Sequence, residues 1–199
     1  MKIIFTVLLF FYVGFVIAQA DVVKHSRHRL GYNVGFGFQT FCSEIPIGLD
    51  VEYTYNVFFN KIQYYYVLMV RNKSSIDLLI QPQFNFATYK FIDKDKDISY
   101  SKEVGVNVGL LYRHKLIRNF LAIYGVISAG PHHITGSPSR QVPGFIFSDN
   151  CAMGLNIQLV KGVYIDFRTG FRHISNAGLM DPNGGVNNIT LDYGLFVDL

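Results

Sequence analysis

From Leu30 onward the chain alternates: Leu30, Tyr32, Val34, Phe36 and Phe38 are apolar, while Gly31, Asn33, Gly35, Gly37 and Gln39 between them are small or polar. A period of two places the two sets on opposite faces of an extended strand, because successive Cβ atoms point to opposite sides of the pleat. The same grammar returns at Leu49, Val51, Tyr53, Tyr55, Val57 and Phe59, set against Asp50, Glu52, Thr54 and Asn56. It recurs at Val104, Val106, Val108, Leu110 and Tyr112, from Cys151 to Leu159, and at Ile189, Leu191, Tyr193, Leu195, Val197 and Leu199. The pattern predicts an all-β protein.

Alternation alone does not separate a soluble sandwich from a membrane barrel, since both have one apolar and one polar face per strand. Three further features favour the barrel. The segments run to about ten residues or more, the length a tilted strand needs to cross a bilayer. Tyr64, Tyr65, Tyr66, Tyr89 and Tyr112 gather near segment ends, where aromatic girdles sit. The last segment stays apolar on one face to the chain end, as the closing strand of an outer-membrane barrel does, with Leu199 as its final residue.

The connections alternate as well. Those at Arg71 to Ser75, Arg113 to Asn119 and Lys161-Gly162 are short, whereas Phe91 to Lys102 and Pro131 to Asp149 are long and polar, matching short periplasmic turns and long outer loops. The strand from Val163 to Ser175 then rises toward the outside. Nine segments can be counted, but single-chain bacterial barrels have an even number of strands. One of 30–41, 49–59 and 62–71 is therefore not an independent span, and part of 42–59 becomes an outer loop or a strand extension. The expected fold is an eight-stranded antiparallel transmembrane β-barrel of the outer-membrane type.

The first residues agree with export. MKIIFTVLLFFYVGFVIAQA has one lysine, an apolar run from Ile3 to Ile17 and the small-x-small pattern Ala18-Gln19-Ala20. This reads as a signal peptide over 1–20, leaving 21–199 as a single barrel domain, in preference to a membrane anchor, because no stop-transfer charges follow the run. No later stretch approaches the ~18 consecutive apolar residues of a helical span, although hydrophobic residues make up 50% of the chain, with 18 Phe and 13 Tyr. Cys42 and Cys151 are too few for a disulfide framework and read as two unrelated thiols, although a single bridge is permitted in an oxidising envelope. A net charge of +4 without basic clusters among aromatic platforms argues against nucleic acid.

The stretch FRHISNAGLMDPNGG, from Phe171 to Gly185, keeps two chemically capable residues side by side. On the rising strand Val163, Ile165, Phe167, Thr169 and Phe171 form the outward register, and continuing by twos gives His173 and Ser175. Tyr164, Asp166, Arg168, Gly170 and Arg172 face the lumen. Asn187 shares the outward register of Ile189 and Leu191 at the top of the neighbouring strand. Residues i and i+2 of a strand lie on one face at about 6.5–7 Å between Cα atoms, so a histidine nitrogen can reach a serine oxygen. A neutral imidazole can take the serine proton as it attacks an ester carbonyl, while a third group on the other ring nitrogen holds the tautomer. An H-x-S spacing alone is equally met by interfacial polar residues where a strand leaves the membrane.

The longer segment HISNAGLMDPNGGVN resembles the active-site segment of the PagL family, the outer-membrane lipid A deacylases: a His-x-Ser-Asn-Ala-Gly run, then Pro-Asn and Gly, then one final strand. The resemblance implies an eight-stranded barrel that removes an ester-linked acyl chain from the 3-position of lipid A. It implies His173 as general base and Ser175 as nucleophile, with Asn176 and the backbone around Gly178 helping to form the oxyanion hole and Asn183 shaping the loop. Asn187 stands where the best-known form of the family has a glutamate. A neutral amide can still orient the histidine but stabilises the imidazolium less than a carboxylate. Asp181 is a possible substitute acid from the loop, and an inactive relative is the alternative outcome.

Other residues carry less. His132 and His133, at the start of an outer loop, lack further ligands at metal-binding spacing and read as rim residues, so no metal or cofactor is called for. Asp50, Glu52, Glu103, Asp166, Arg168 and Arg172 fall on polar registers and are expected to form ion pairs inside a barrel whose lumen side chains just fill. Lys90, Lys94, Lys96, Lys102 and Arg140 in the long loops are candidates to meet lipid A phosphates. The function expected is that of an outer-membrane serine esterase acting on lipid A or lipopolysaccharide in the outer leaflet. A structural or adhesion barrel working through its loops, or an outer-leaflet phospholipase, are the competing readings.

Overall fold

Eight antiparallel strands follow one another around a ring: β1 (His28–Phe38), β2 (Tyr53–Arg71), β3 (Ser74–Phe91), β4 (Ser99–Ile117), β5 (Leu121–Ile134), β6 (Gly144–Val160), β7 (Val163–Ser175) and β8 (Val186–Asp198). Each pairs with the next and β8 returns to β1, so the sheet closes. This computed structural model describes residues 27–39, 53–91, 98–118 and 120–199. The expected leader over 1–20, Cys42, Asp50, Glu52, Lys94 and Lys96 lie outside the described residues.

Closure decides the environment of both faces. Outside, Phe36, Phe84, Val108, Ile127, Met153, Phe167 and Leu191 are between 47% and 67% exposed. An apolar belt around the whole girth has no counterpart on a soluble monomer, and hydrocarbon is the solvent that matches it. At one end the connections are tight: Asn72-Lys73 joins β2 to β3 with Asn72 at φ 53°, Lys161-Gly162 joins β6 to β7 with Gly162 at φ 78°, and the chain end lies there too. The opposite end carries the longer connections. β2 and β4 have 19 residues each, roughly 65 Å at ~3.4 Å per residue, so they extend beyond a ~30 Å hydrocarbon core even when tilted.

The lumen is filled in layers. Near the tight-turn end, Asp77 accepts from Arg29 Nη1 at 2.9 Å and Arg113 Nη1 at 2.6 Å, beneath Tyr65, Leu79, Leu111 and Phe196. At mid-height Arg168 pairs with Asp166 at 3.3 Å, and Asp166 also accepts from Asn156 Nδ2 at 2.8 Å. Above them Lys61 meets Asp192 at 2.8 Å and Arg172 meets Glu103 at 2.8 Å, with Arg172 Nε donating to Ser148 Oγ at 3.0 Å. An apolar cap of Tyr53, Tyr55, Val57, Phe59, Ile134, Ile146, Ile174 and Val186 closes the upper interior. Glu103, Asp166, Arg168 and Arg172 thus form ion pairs inside the barrel.

Several expectations are corrected. The strand extension expected within 42–59 is present, since 53–59 runs on into 62–71 as the single strand β2, but the apolar set Tyr53, Tyr55, Val57 and Phe59 points into the lumen rather than outward. The cause is room: Phe59 pairs with Gly35 and Val57 with Gly37 of β1, and a Cβ on Gly37 would come 2.9 Å from Phe59 Cε2. Inward glycines on one strand admit inward aromatics on the next. Tyr65 is buried in the lumen, and Tyr89 stacks on Tyr55 at 6.2 Å beside the cap, so neither belongs to a girdle. His132 is no rim residue: it lies within β5, points inward and bonds Asn107 Oδ1 at 3.0 Å, while His133 is exposed on the outer face. The outer connection read as Pro131 to Asp149 is shorter, 135–143, because β5 runs to Ile134 and β6 starts at Gly144, and β4 already starts at Ser99, within the stretch read as the other long loop.

Glu103 and Arg172 are 0% and 1% exposed, so removing one leaves an uncompensated charge. Glu103→Ala is expected to lose about 3–5 kcal/mol in urea unfolding, and the pair Glu103→Leu with Arg172→Leu to recover most of it. An unchanged midpoint for Glu103→Ala would show that something other than Glu103 solvates Arg172.

Candidate active site

Ile174 and Val186 are paired across β7 and β8 and are 0% and 1% exposed within the apolar cap. Because side chains alternate, anchoring these two inward throws their neighbours His173 and Asn187 outward, where they too are directly paired. The imidazole Nδ1 and Asn187 Oδ1 lie 2.6 Å apart. An amide oxygen carries no hydrogen, so this bond requires the Nδ1–H tautomer and leaves Nε2 with its lone pair. Ser175 follows two residues later on the same face, opposite Phe147 of β6.

Ser175 is the last residue of β7, and the loop begins with Asn176, whose side chain is fully buried. Asn176 Nδ2 donates to Met180 O at 2.7 Å, and its Oδ1 accepts from Gly178 N–H at 3.0 Å. The Asn176 N–H donates to Asn183 Oδ1 at 2.9 Å. Ala177 and Gly178 take φ values of 55° and 77°, a left-handed pair that reverses the chain immediately after the serine. A non-glycine residue held there stores strain, as functional turns do. Asp181 is exposed in the loop, and the group at Nδ1 is Asn187.

Two features were not read from the sequence. Asp149 of β6 is paired with His173 on the side away from Asn187, so an acid flanks the imidazole across the neighbouring strand. Its signal was visible: Phe145, Phe147, Asp149 and Cys151 form one outward register with a single acid in it. Below the pair opens a shallow outer groove of about 460 Å³, lined by Val108, Leu110, Ile127, Ala129, Cys151 and Phe171, with Asp149 and His173 also on its wall. Cys151 is thus an outward, groove-lining thiol. Of the basic residues, Lys90 and Lys102 are exposed on strands, and Arg140 reaches the site loop, its Nη2 donating to Gly184 O at 2.6 Å.

A closed eight-stranded ring with an apolar exterior, a polar filled lumen and a His, Ser and Asn set on its outer face defines a small outer-membrane barrel with the makings of a hydrolase. A family profile described as Lipid A 3-O-deacylase (PagL) matches residues 29–196, and the chain belongs to that family of the bacterial outer membrane. Among solved structures, the outer membrane enzyme PagL aligns with a TM-score of 0.60 at 13% identity, over 82% of this chain and 97% of that one. Neisserial surface protein A aligns with a TM-score of 0.51 at 13% identity, over 87% of this chain and 98% of that one. At such identities the structural likeness speaks for the fold. No curated protein sequence matches the chain significantly.

Asn183→Ala removes the acceptor of the Asn176 N–H. Hydrogen exchange at Asn176 and Gly178 is expected to speed up by about tenfold, the equivalent of ~1.4 kcal/mol, within the range for one buried hydrogen bond. Urea unfolding of the barrel should move by less than about 0.5 kcal/mol, because the loop opens locally. Exchange at the parental rate would show that Asn183 does not hold the turn.

Proposed function

We propose that this chain is a serine esterase that removes the ester-linked acyl chain at the 3-position of lipid A. The observation that carries the reading is the 2.6 Å bond between His173 Nδ1 and Asn187 Oδ1 on the membrane-facing surface, two residues from a serine. With Nδ1–H committed to Asn187, Nε2 takes the Ser175 proton as Oγ attacks the ester carbonyl. It then returns that proton to the leaving sugar hydroxyl, and water releases the acid from the acyl-serine by the same base.

The remaining roles follow from position. Asn176 comes directly after the nucleophile, and its Nδ2 has a second hydrogen beyond the one given to Met180 O, so with the Ala177 amide it supplies oxyanion donors, while the Gly178 N–H, bonded to Asn176 Oδ1, holds the backbone of the turn. Asn183 keeps that turn in place. The acyl chain lies along the outer groove, whose lining is apolar below Asp149 and His173. Asp149 lies on the strand flanking His173 opposite Asn187, and both residues border the groove. The site opens sideways to the outer leaflet, so the substrate enters from the film and not through the lumen.

In cells that express the protein, lipid A mass spectra should show loss of one 3-linked acyl chain. Ser175→Ala and His173→Ala should each abolish that loss while heat-modifiable folding survives, since both side chains lie on the outer surface. Spectra identical with and without the protein would overturn the reading, and release of lysophospholipid instead would transfer the site to a glycerophospholipid. Asn187→Ala should lower kcat by about tenfold with little change in KM, because the lost bond acts mainly as the imidazolium forms. Asn187→Glu should match or exceed the parent. An Asn187→Ala enzyme as fast as the parent would mean that another group orients His173.

A further inference from the structure

We propose that Gln141, in the loop between β5 and β6, is a positioning residue for His173 and acts through Gly185. The proposal rests on the esterase reading for its effect on rate. Gly185 sits at φ +65°, and a Cβ built on it would come 2.6 Å from His173 Cε1 and 3.2 Å from Nε2. The Gly185 backbone is thus a wall against the edge of the imidazole that exchanges the proton, and only glycine leaves room for the ring.

Both peptide groups of that wall are tied. Gly185 N–H donates to Gln141 Oε1 at 3.2 Å, and its carbonyl accepts from the Tyr53 hydroxyl at 3.2 Å. Gln141 is 2% exposed and its own loop holds it, with its N–H donating to Pro138 O at 3.0 Å and its Nε2 to Val142 O at 3.1 Å. Around this contact the two loops are laced: Gln141 pairs with Asn183 as an isolated bridge, Gly184 N–H donates to Arg140 O at 2.6 Å and Val142 N–H to Pro182 O at 3.1 Å.

The chemistry gives the clasp its purpose. The bond to Asn187 fixes one point of the ring, and a neutral acceptor holds that point less firmly than a carboxylate does. A ring tethered at Nδ1 alone can swing Nε2 away from Ser175. A wall along Cε1 and Nε2 removes that freedom, and Gln141 keeps the wall in place from a different loop.

The test uses the full chain, folded in detergent micelles with 15N-labelled histidine, and identifies the His173 signals by their absence in His173→Asn. The parent should show the Nδ1–H tautomer. Gln141→Ala should give a mixture of tautomers and lower kcat by about tenfold with KM within about twofold, short of the ~10²-fold that a 1 Å misplacement of a reacting group can cost. Gln141→Glu keeps an acceptor for Gly185 N–H but loses the Nε2 donor to Val142 O, so it should fall between the parent and Gln141→Ala in both readouts. Parental tautomer and rate in Gln141→Ala, or a Gln141→Glu as impaired as Gln141→Ala, would overturn the proposal. If the parent does not deacylate lipid A the esterase reading falls, and the tautomer measurement decides the clasp alone. If Gln141→Ala fails to fold, Gly185→Ala replaces it: its methyl must shift the His173 ring signals, and unshifted signals would overturn the proposal.

Discussion

The pairing of β8 with β1, running from Arg29 opposite Asp198 to Phe38 opposite Ile189, is the constraint on which the rest depends. A sheet in hydrocarbon has no water for unpaired edges, so it is stable there only when it closes. Closure turns the two faces of every strand into a lumen and a lipid surface. The inward glycines of β1 let it approach β8 and β2: a Cβ on Gly35 would stand 2.1 Å from Asp192 Oδ1, in the space that the Lys61 and Asp192 pair occupies. The ring therefore closes around ion pairs that could not be accommodated on its outside.

The site inherits its place from that division. Ile174 and Val186 belong to the apolar cap, and by alternation His173 and Asn187 belong to the lipid face. Three strands then converge on one imidazole, with Asp149 from β6 on one side and Asn187 from β8 on the other. The proposed esterase also needs water to release its acyl-serine, and β7 ends at Ser175, where the loop that follows carries the exposed Asp181. A reactive pair lower on the barrel would be buried in hydrocarbon, and one in the lumen would be sealed by side chains. The rim is the level at which a lipid ester and water are both available.

Much of this was legible because a two-residue period is a direct property of the chain. For β1, β4, β7 and β8 the apolar register faces outward, and Glu103, Asp166, Arg168 and Arg172 lie inside as their register requires. What a period does not carry is its sign. In β2 the aromatic set Tyr53, Tyr55 and Phe59 is as apolar as any lipid-facing set, and only the glycines opposite it on β1 make it interior. His132 and Tyr65 were misplaced for the same reason. Asn187 was legible as a partner of His173 because both lie on outward registers near one hairpin loop. Gln141 was not, since SPSRQVPG has no period and its contact with Gly185 joins two loops 44 residues apart.

The central claim is that an outward-facing Ser175, activated by His173, is a nucleophile. The most direct measurement treats the folded barrel in micelles with an alkyl fluorophosphonate, which reacts only with activated serines, and maps the adduct by peptide mass spectrometry. The account predicts one adduct, on Ser175, formed by the parent and lost in His173→Ala while folding is retained. An unmodified parent, a label on another serine, or equal labelling of His173→Ala would contradict it.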